Sequence, residues 1–304
     1  MFTSNNLYGN IKLLLYFFAK KPSKEKNMYD ITMKIGKSTI QHGKQNDRIY
    51  LMDLNREDMP DILKTLDDMA DRHSYSKIFT KIPRSFYQSF SKEGYQKEAL
   101  VPAYYRGEED CIFMSKYKDQ ERSIEASKEL NNKVIETAKS KKPNELYQRL
   151  PQGFSFRLAK EEDASKIADI YSKVFSSYPF PILEYKYIQE TIRDNVIYFM
   201  ILKDNEIVAL SACEMDFKNQ SAEMTDFAIL PNYRGHNFST FLLAKMEEKM
   251  KENKIKTAYT IARAVSFGMN SSFAKSGYEF TGRLIKNTQI AGNIEDMNVW
   301  YKSL

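Results

Sequence analysis

One stretch of the chain, from Ala222 to Met250, constrains the fold more than any other. It contains a strand, a proline turn, an Arg-Gly loop and an amphipathic helix, in that order. A loop that opens a helix directs several backbone N–H groups, together with the positive end of the helix dipole, toward one point. Arg234 adds a side-chain cation there, and Gly235 lets a ligand approach the backbone closely. The sequence therefore predicts an α/β fold with a diphosphate site at this loop.

Two carboxylates, Glu223 and Asp226, lie on the strand that leads into the loop. Because they are three residues apart, strand alternation places them on opposite faces unless a bulge intervenes. One of them is a candidate general base, with Glu223 preferred to Asp226; the alternative for each is a solvated carboxylate on the sheet surface. A base beside a diphosphate site indicates group transfer from a nucleotide-containing cofactor.

Composition excludes several classes of protein. With 42% hydrophobic and 28% charged residues, the 304-residue chain is typical of globular proteins rather than disordered ones. The net charge of +6 suits an anionic ligand, or reflects only solvated lysines. Cys111 and Cys213 have no metal-ligand spacing around them, which indicates a reduced cytoplasmic protein without a metal. The apolar run from Ile11 to Ala19 is too short to span a membrane.

The pattern along the chain divides it into three parts. Residues 1–27 are expected to be an extension outside the fold, with an ordered helix packed on the body as the alternative. A basic, proline-containing linker from Lys139 to Leu150 separates a domain at 28–150 from a second at 151–304. From Phe154 onward the predicted order is β-α-α-β-β-β-α-β-α-β-β, a mixed sheet with helices on both sides.

A short internal repeat links the two halves. The spacing Phe90-x-Lys92-x-Gly94-Tyr95 recurs as Phe273-x-Lys275-x-Gly277-Tyr278. If the repeat is more than coincidence, the first half is a degenerate copy of the second, because it lacks the Arg-Gly loop and is expected to bind no cofactor.

The second half resembles the GNAT superfamily of acetyl-CoA-dependent N-acetyltransferases. The superfamily signature Q/R-x-x-G-x-G/A falls on Arg234 to Ser239, followed downstream by N-x-x-F-x-K-x-G-Y. Asn237 and Ser239 replace the two small residues of the signature; Asn tolerates a left-handed backbone and Ser is small, so both replacements are physically admissible. The resemblance implies a GNAT fold in the C-terminal half with a degenerate GNAT-like N-terminal domain.

The resemblance also implies particular roles. A Glu on the strand, here Glu223, would deprotonate an amine that attacks the thioester directly. The tyrosine that many members use to protonate the departing thiolate is Phe273 here, so that role does not carry over, and Tyr278 or a water is left open as the acid. The implied contacts to acetyl-CoA come from the strand and loop residues Phe227, Ala228, Ile229, Leu230, Arg234, Gly235, His236, Asn237, Phe238 and Ser239, and from Asn270 and Phe273.

The sequence resembles one group within this family more closely, and that resemblance extends to the segment Lys34 to Leu54. It implies a small diamino acid as substrate and a role in compatible-solute synthesis. Arg263 is a candidate for the substrate carboxylate, since a guanidinium holds a carboxylate bidentately. No nucleic acid or membrane partner is expected, and a homodimer is left open. Two other readings also stay open, a non-catalytic binding module for RNA or protein and an acetyltransferase of protein lysines or N-termini. Further candidates for the substrate pocket are Tyr178, Glu214 and Asn298.

Overall fold

The computed structural model describes residues 29–141 and 149–304. The predicted extension at 1–27 and most of the predicted linker lie outside these residues, so the domain boundaries stay predictions. Within the described ranges the chain forms two mixed sheets, one of six strands and one of seven, with helices packed against both. The α/β class predicted from the sequence is confirmed.

The first sheet belongs to the N-terminal half and has the order β1-β2-β3-β4-β6-β5. Its only parallel pair among the described strands joins β3 to β4, with helix α1 as the crossover. The elements are β1 Ile31–Ile35, β2 Ser38–Gly43, β3 Arg48–Asp53, α1 Asp61–His73, β4 Lys77–Pro83, α2 Tyr87–Lys92, β5 Gln96–Tyr105, β6 Glu109–Tyr117 and α3 Lys128–Lys139.

The second sheet has the order β12-β13-β11-β10-β9-β8-β7, with one parallel pair, β10 with β11, among its described strands. The predicted element order is confirmed. The elements are β7 Phe154–Leu158, α4 Ala164–Val174, α5 Tyr185–Asp194, β8 Val196–Lys203, β9 Glu206–Asp216, β10 Ser221–Ile229, α6 Phe238–Glu252, β11 Thr257–Arg263, α7 Phe267–Lys275, β12 Glu279–Ile290 and β13 Asn293–Ser303.

The internal repeat seen in the sequence is present in the geometry. Strands β1 to β6 and β8 to β13 have the same spatial order. In each half a short helix ends at a left-handed glycine, and the next tyrosine packs edge-on against the phenylalanine of that helix. The ring centroids are 5.1 Å apart for Phe90 and Tyr95 and 5.3 Å apart for Phe273 and Tyr278. The first half is therefore a structural counterpart of the second.

The two sheets share one apolar core, which contains Tyr50, Phe79 and Phe113 from the first half and Tyr259 and Val299 from the second. Strands β5 and β12 approach so closely that a Cβ on Gly282 would lie 2.2 Å from the carbonyl oxygen of Glu98. Such contact holds the N-terminal half rigidly against the face of the second sheet that carries the candidate site.

Candidate active site

Strands β10 and β11 separate at the centre of the second sheet. They pair from Ser221 only as far as Glu223, which lies beside Tyr259. The register of β10 against β9 then shifts between Thr225 and Ala228, and Asp226 adopts a left-handed φ of 57°. Beyond this bulge, β10 keeps its ladder to β9 and leaves its other backbone edge unpaired with β11. The result is a cleft with a free strand edge, which an extended ligand can hydrogen-bond.

The bulge brings the two predicted acids together. Simple alternation places Glu223 and Asp226 on opposite faces, but both line one cavity of about 200 Å³. The extra residue of a bulge re-aims the side chains that follow it, so period-two alternation fails at this point. The two side chains therefore do not lie on opposite faces, because the bulge that the prediction named as its exception is present.

Glu223 lies in surroundings that favour its protonated form. It is directly opposite Glu214 in the β9–β10 ladder, and the Tyr259 hydroxyl donates to its Oε2 at 3.1 Å. Burial raises the pKa of Glu223 to about 8, and the charge of Glu214 adds to the rise, while Lys81 and the Tyr259 hydrogen bond oppose it. A carboxyl with this pKa accepts a proton near neutral pH.

Asp226 is held more firmly by hydrogen bonds. Its Oδ1 accepts from the Tyr178 hydroxyl and from Thr225 Oγ1, the latter at 2.9 Å. Burial raises the pKa of Asp226, and these two bonds partly offset the rise. These donors stabilise the carboxylate form of Asp226 and hold it in place. Tyr178, predicted for the substrate pocket, lies in the cavity wall and positions Asp226.

Glu214 lines both cavities at the site. Its side chain is exposed to solvent, but protein surrounds its carboxyl group, and this burial is the main cause of its raised pKa. Together with Lys81 and Tyr259, Glu214 also lines a second cavity beside β9 and β10. The three carboxylates thus form an acidic centre at which a cationic group would be stabilised.

The predicted diphosphate loop has the required shape. A single 3₁₀ turn, Pro231–Tyr233, leads into it, and Gly235 has a φ of 87°. Asn237 is left-handed, with a φ of 57°, and its carbonyl accepts from the N–H groups of Thr240 and Phe241 as α6 begins. Arg234 is exposed, and its Nε donates to the carbonyl of Ile229 at 3.4 Å. The Asn that replaces the signature glycine therefore adopts the backbone that glycine would supply.

Other residues of the loop stabilise it through their side chains. The exposed His236 ring lies 5.9 Å from Phe154 and 5.4 Å from Phe238, which is buried in the core. Ser239 Oγ lies 2.7 Å from Ser272 Oγ and joins α6 to α7. What these residues offer a ligand is the backbone N–H, in keeping with a helix N-terminus.

Two residues on α7 have their side chains fully engaged within the protein. Asn270 donates to the carbonyls of Arg263 and Ser266, and its Oδ1 accepts from Asn298 and Trp300. A direct side-chain contact from Asn270 to the cofactor would break this network. Phe273 is fully buried and meets Phe227 edge-on at 5.6 Å, so it contributes an apolar wall.

Three residues with predicted roles, Arg263 for the substrate carboxylate, Asn298 for the substrate pocket and Tyr278 as the acid, are placed differently from the expectation. Arg263 lines the cavity but forms a bidentate ion pair with Glu295, with N–O distances of 2.7 and 2.6 Å. Asn298 is fully buried, outside the cavity wall, where it accepts from Arg283 Nε at 2.9 Å. Tyr278, the open candidate for the acid, is buried in the core behind Phe273.

Sequence reasoning missed the contribution of the N-terminal half. Arg48, Tyr50 and Met52, alternate residues of β3, line the same cavity as Glu223 and Asp226, and Lys81 of β4 joins them. The period-two spacing of Arg48, Tyr50 and Met52 marks one face of a strand, but which sheet that face meets depends on the packing of the two halves.

Within the part of the chain that the structure describes, no three His, Cys, Asp or Glu side chains are grouped so as to hold a metal ion. A search of the same residues for a helix long and apolar enough to cross a membrane finds none.

The comparisons with known proteins agree with this geometry. Residues 164–277 match the acetyltransferase (GNAT) family. The chain is 41% identical to β-lysine N(6)-acetyltransferase of Methanococcus maripaludis over 270 residues, which are 89% of this chain and 97% of that protein. It is 34% identical to β-lysine N(6)-acetyltransferase of Methanosarcina mazei, over 80% of this chain and 97% of that protein. N-acetyltransferase YodP of Bacillus subtilis is also 34% identical, over 71% of this chain and 76% of that protein.

The open strand edge, the left-handed loop opening a helix and the buried acid all lie within the residues that match the GNAT family. The chain belongs to the GNAT family and is an N-acetyltransferase. Members of this family use acetyl-CoA.

Proposed function

We propose that this enzyme transfers the acetyl group of acetyl-CoA to the N6 amine of β-lysine. The observation that carries the proposal is the acidic centre of Glu214, Glu223 and Asp226, which lies beside the splayed strand edge in a cavity lined in part by the N-terminal half. The names of two relatives that match over most of the chain, both β-lysine N(6)-acetyltransferases, support the choice of substrate.

The residues present fit acetyl-CoA. The left-handed loop and the first turn of α6 offer backbone N–H groups to a diphosphate, and the exposed Arg234 adds charge. The unpaired edge of β10, from Phe227 to Leu230, offers main-chain groups to the pantetheine arm. Acetyl-CoA supplies the thioester, whose carbonyl oxygen gains negative charge as the amine attacks, and a main-chain donor on this edge would stabilise that charge.

In this proposal Glu223 is the general base. An alkyl ammonium has a pKa of about 10.4 and becomes nucleophilic only after it loses a proton. Glu223 takes that proton, directly or through one water, and the neutral amine attacks the thioester carbonyl. A C–N bond forms and the C–S bond breaks, so the electron pair leaves on sulfur, and the nitrogen releases its second proton to water as the amide forms. Lys81 and Tyr259 keep the Glu223 carboxylate accessible near neutral pH by opposing the rise of its pKa.

No side chain needs to protonate the departing thiolate. Phe273 occupies the position of the family tyrosine and has no proton to give. A thiol has a pKa of about 8.5, so its thiolate is a tolerable leaving group and can take a proton from water afterwards. Production of a compatible solute in the cytoplasm forms part of the same proposal; the two free, buried cysteines agree with a reducing compartment.

A thiol-release assay with acetyl-CoA tests the proposal. β-Lysine should give the highest kcat/KM in a panel with α-lysine, spermidine and a lysine-containing peptide. Highest turnover with the peptide would contradict the substrate and favour acetylation of protein lysines. No turnover with any amine, together with no CoA-dependent rise in Tm, would contradict acetyl transfer and favour a binding module.

A further inference from the structure

Arg48 is a buried cation. Its side chain is 4% exposed and lines the cavity, lying 5.3 Å from the rings of both Tyr50 and Phe79. Its Nη1 donates to the backbone carbonyl of Asn287, whereas its Nε has no hydrogen-bond partner in the part of the chain that the structure describes. Among the described residues, Arg48 forms no salt bridge with any carboxylate.

Such an arrangement is costly unless a ligand completes it. A buried charge is normally paired, because desolvation without a partner costs several kcal/mol. The other buried cations of the N-terminal half follow this rule: Lys77 lies 3.1 Å from Glu98, and Arg122 lies 3.5 Å from Asp47. Burial lowers the pKa of Arg48 only to about 10, so it remains a cation at neutral pH.

Asn287 provides a second unsatisfied group at the same place. It is 1% exposed, lines the cavity on β12, and its Oδ1 has no hydrogen-bond partner within residues 29–141 and 149–304. Its backbone carbonyl accepts from Arg48, so the two residues adjoin. A free guanidinium donor next to a free amide acceptor matches the two charges of an amino acid, since a carboxylate accepts and an ammonium donates.

We propose that Arg48 and Asn287 form the site that binds the amino-acid end of the substrate. Arg48 holds the carboxylate, and Asn287 Oδ1 accepts from the neighbouring ammonium. This inference rests on the proposed function, whose substrate carries a carboxylate and a second amine. The N-terminal counterpart of the fold therefore supplies substrate recognition in place of a second cofactor site.

The positions of the charged groups set the orientation of the substrate. The Tyr50 ring lies next to Arg48 and also within electrostatic range of Glu223 and Lys81. Tyr50 therefore lies near both Arg48 and Glu223, and all three line one cavity. A chain with a carboxylate at one end and an ammonium at the other satisfies both, whereas a polyamine leaves Arg48 buried and unpaired. The pocket should consequently reject amines that have no carboxylate.

Arg48→Gln tests this assignment with two substrates, β-lysine and 1,4-diaminopentane, which is β-lysine without its carboxylate. The wild-type enzyme should prefer β-lysine. In the variant, kcat/KM for β-lysine should fall by about 100-fold, mostly through KM, with little change for the diamine. The pH profile of the variant should keep the inflection of Glu223, which a general disruption of the site would move.

The matched control is the double variant Arg263→Gln/Glu295→Gln, which removes the paired arginine of the same cavity without leaving a charge. It should keep the wild-type preference for β-lysine. A CoA-dependent rise in Tm confirms that each variant is folded; if Arg48→Gln does not fold, Arg48→Lys, which keeps the charge but loses the fork, replaces it and should raise KM for β-lysine alone.

The outcomes separate the two proposals. If the wild-type enzyme does not prefer β-lysine to the diamine, the proposed substrate is wrong. If it does, and the Arg48 variant keeps that preference, the assignment of Arg48 is overturned while the proposed function stands. Loss of the preference in the Arg263/Glu295 variant alone would assign the carboxylate to Arg263.

Discussion

Glu223 and Glu214 face each other across the β9–β10 ladder, at the point where β10 parts from β11. Two carboxylates placed directly opposite resist simultaneous ionisation, so the pair retains a proton more strongly than either group alone. The pair retains this proton at the position where, in the proposed reaction, the substrate ammonium loses a proton. This pairing relates the geometry of the splayed strands to the chemistry of amine acetylation.

Replacement of Glu223 by Gln should change both the size and the shape of the pH profile. In the wild-type enzyme kcat/KM should rise with pH and level off above about 8, because the pKa of Glu223 is raised to that value. Without the base, activity near pH 7 should fall by about 10²–10⁴-fold and keep rising toward the pKa of the free amine. Steady-state kinetics from pH 6 to 10 measure the difference; an unchanged profile would remove Glu223 from this role.

Tyr259→Phe should shift the pH profile of kcat/KM without abolishing activity. The hydroxyl donates to Glu223 and lowers its pKa, so its loss should raise that pKa and shift the rising limb to higher pH. The plateau should change by less than about 10-fold, since the base remains. Tyr278→Phe is the control, because it removes a hydroxyl buried in the core behind Phe273. A shift of equal size in both variants would contradict the assignment.

Loss of the Arg234 cation should weaken the binding of acetyl-CoA and leave the binding of the amine substrate unchanged. Arg234→Ala removes an exposed charge from the turn before α6, and KM for acetyl-CoA should rise by about 10-fold, less at high salt. KM for β-lysine should stay unchanged. Lys245→Ala, which loses a surface pair with Glu248 further along α6, should leave both constants as they are. Equal effects of the two variants would argue against a diphosphate at Arg234.

The acidic centre should reduce stability while it serves catalysis. The pKa of Glu223 is raised from 4.5 to about 8 in the folded state, so the folded chain binds more protons than the unfolded chain across this range. Stability from this group therefore falls as pH rises from about 4.5 to 8. Glu223→Gln should raise the free energy of unfolding by about 1 kcal/mol at pH 8, which corresponds to roughly 2–4 °C in Tm, and should raise it less at pH 5. Thermal unfolding at the two pH values measures this; a lower Tm at pH 8 would contradict it.

The sequence predicted those features that depend on local pattern. The strand, Arg-Gly loop and helix around Arg234 follow from residue order, and the Phe-x-Lys-x-Gly-Tyr repeat from spacing. The register of β10 was not predictable, because the bulge at Asp226 arises from non-local pairing with β9. The roles of Arg48 and Arg263 could not be told apart for the same reason: only packing shows that Glu295 engages Arg263 while Arg48 has no ion-pair partner among the described residues.

The product of β-lysine acetylation tests the central claim most directly, because the proposed Arg48 and Asn287 site binds the substrate in one orientation. With the carboxylate and its neighbouring ammonium at Arg48 and Asn287, the distant N6 amine reaches Glu223. NMR of the product from wild-type enzyme should show acetylation at N6 alone. Acetylation at the amine next to the carboxylate, or a mixture of the two products, would contradict the account.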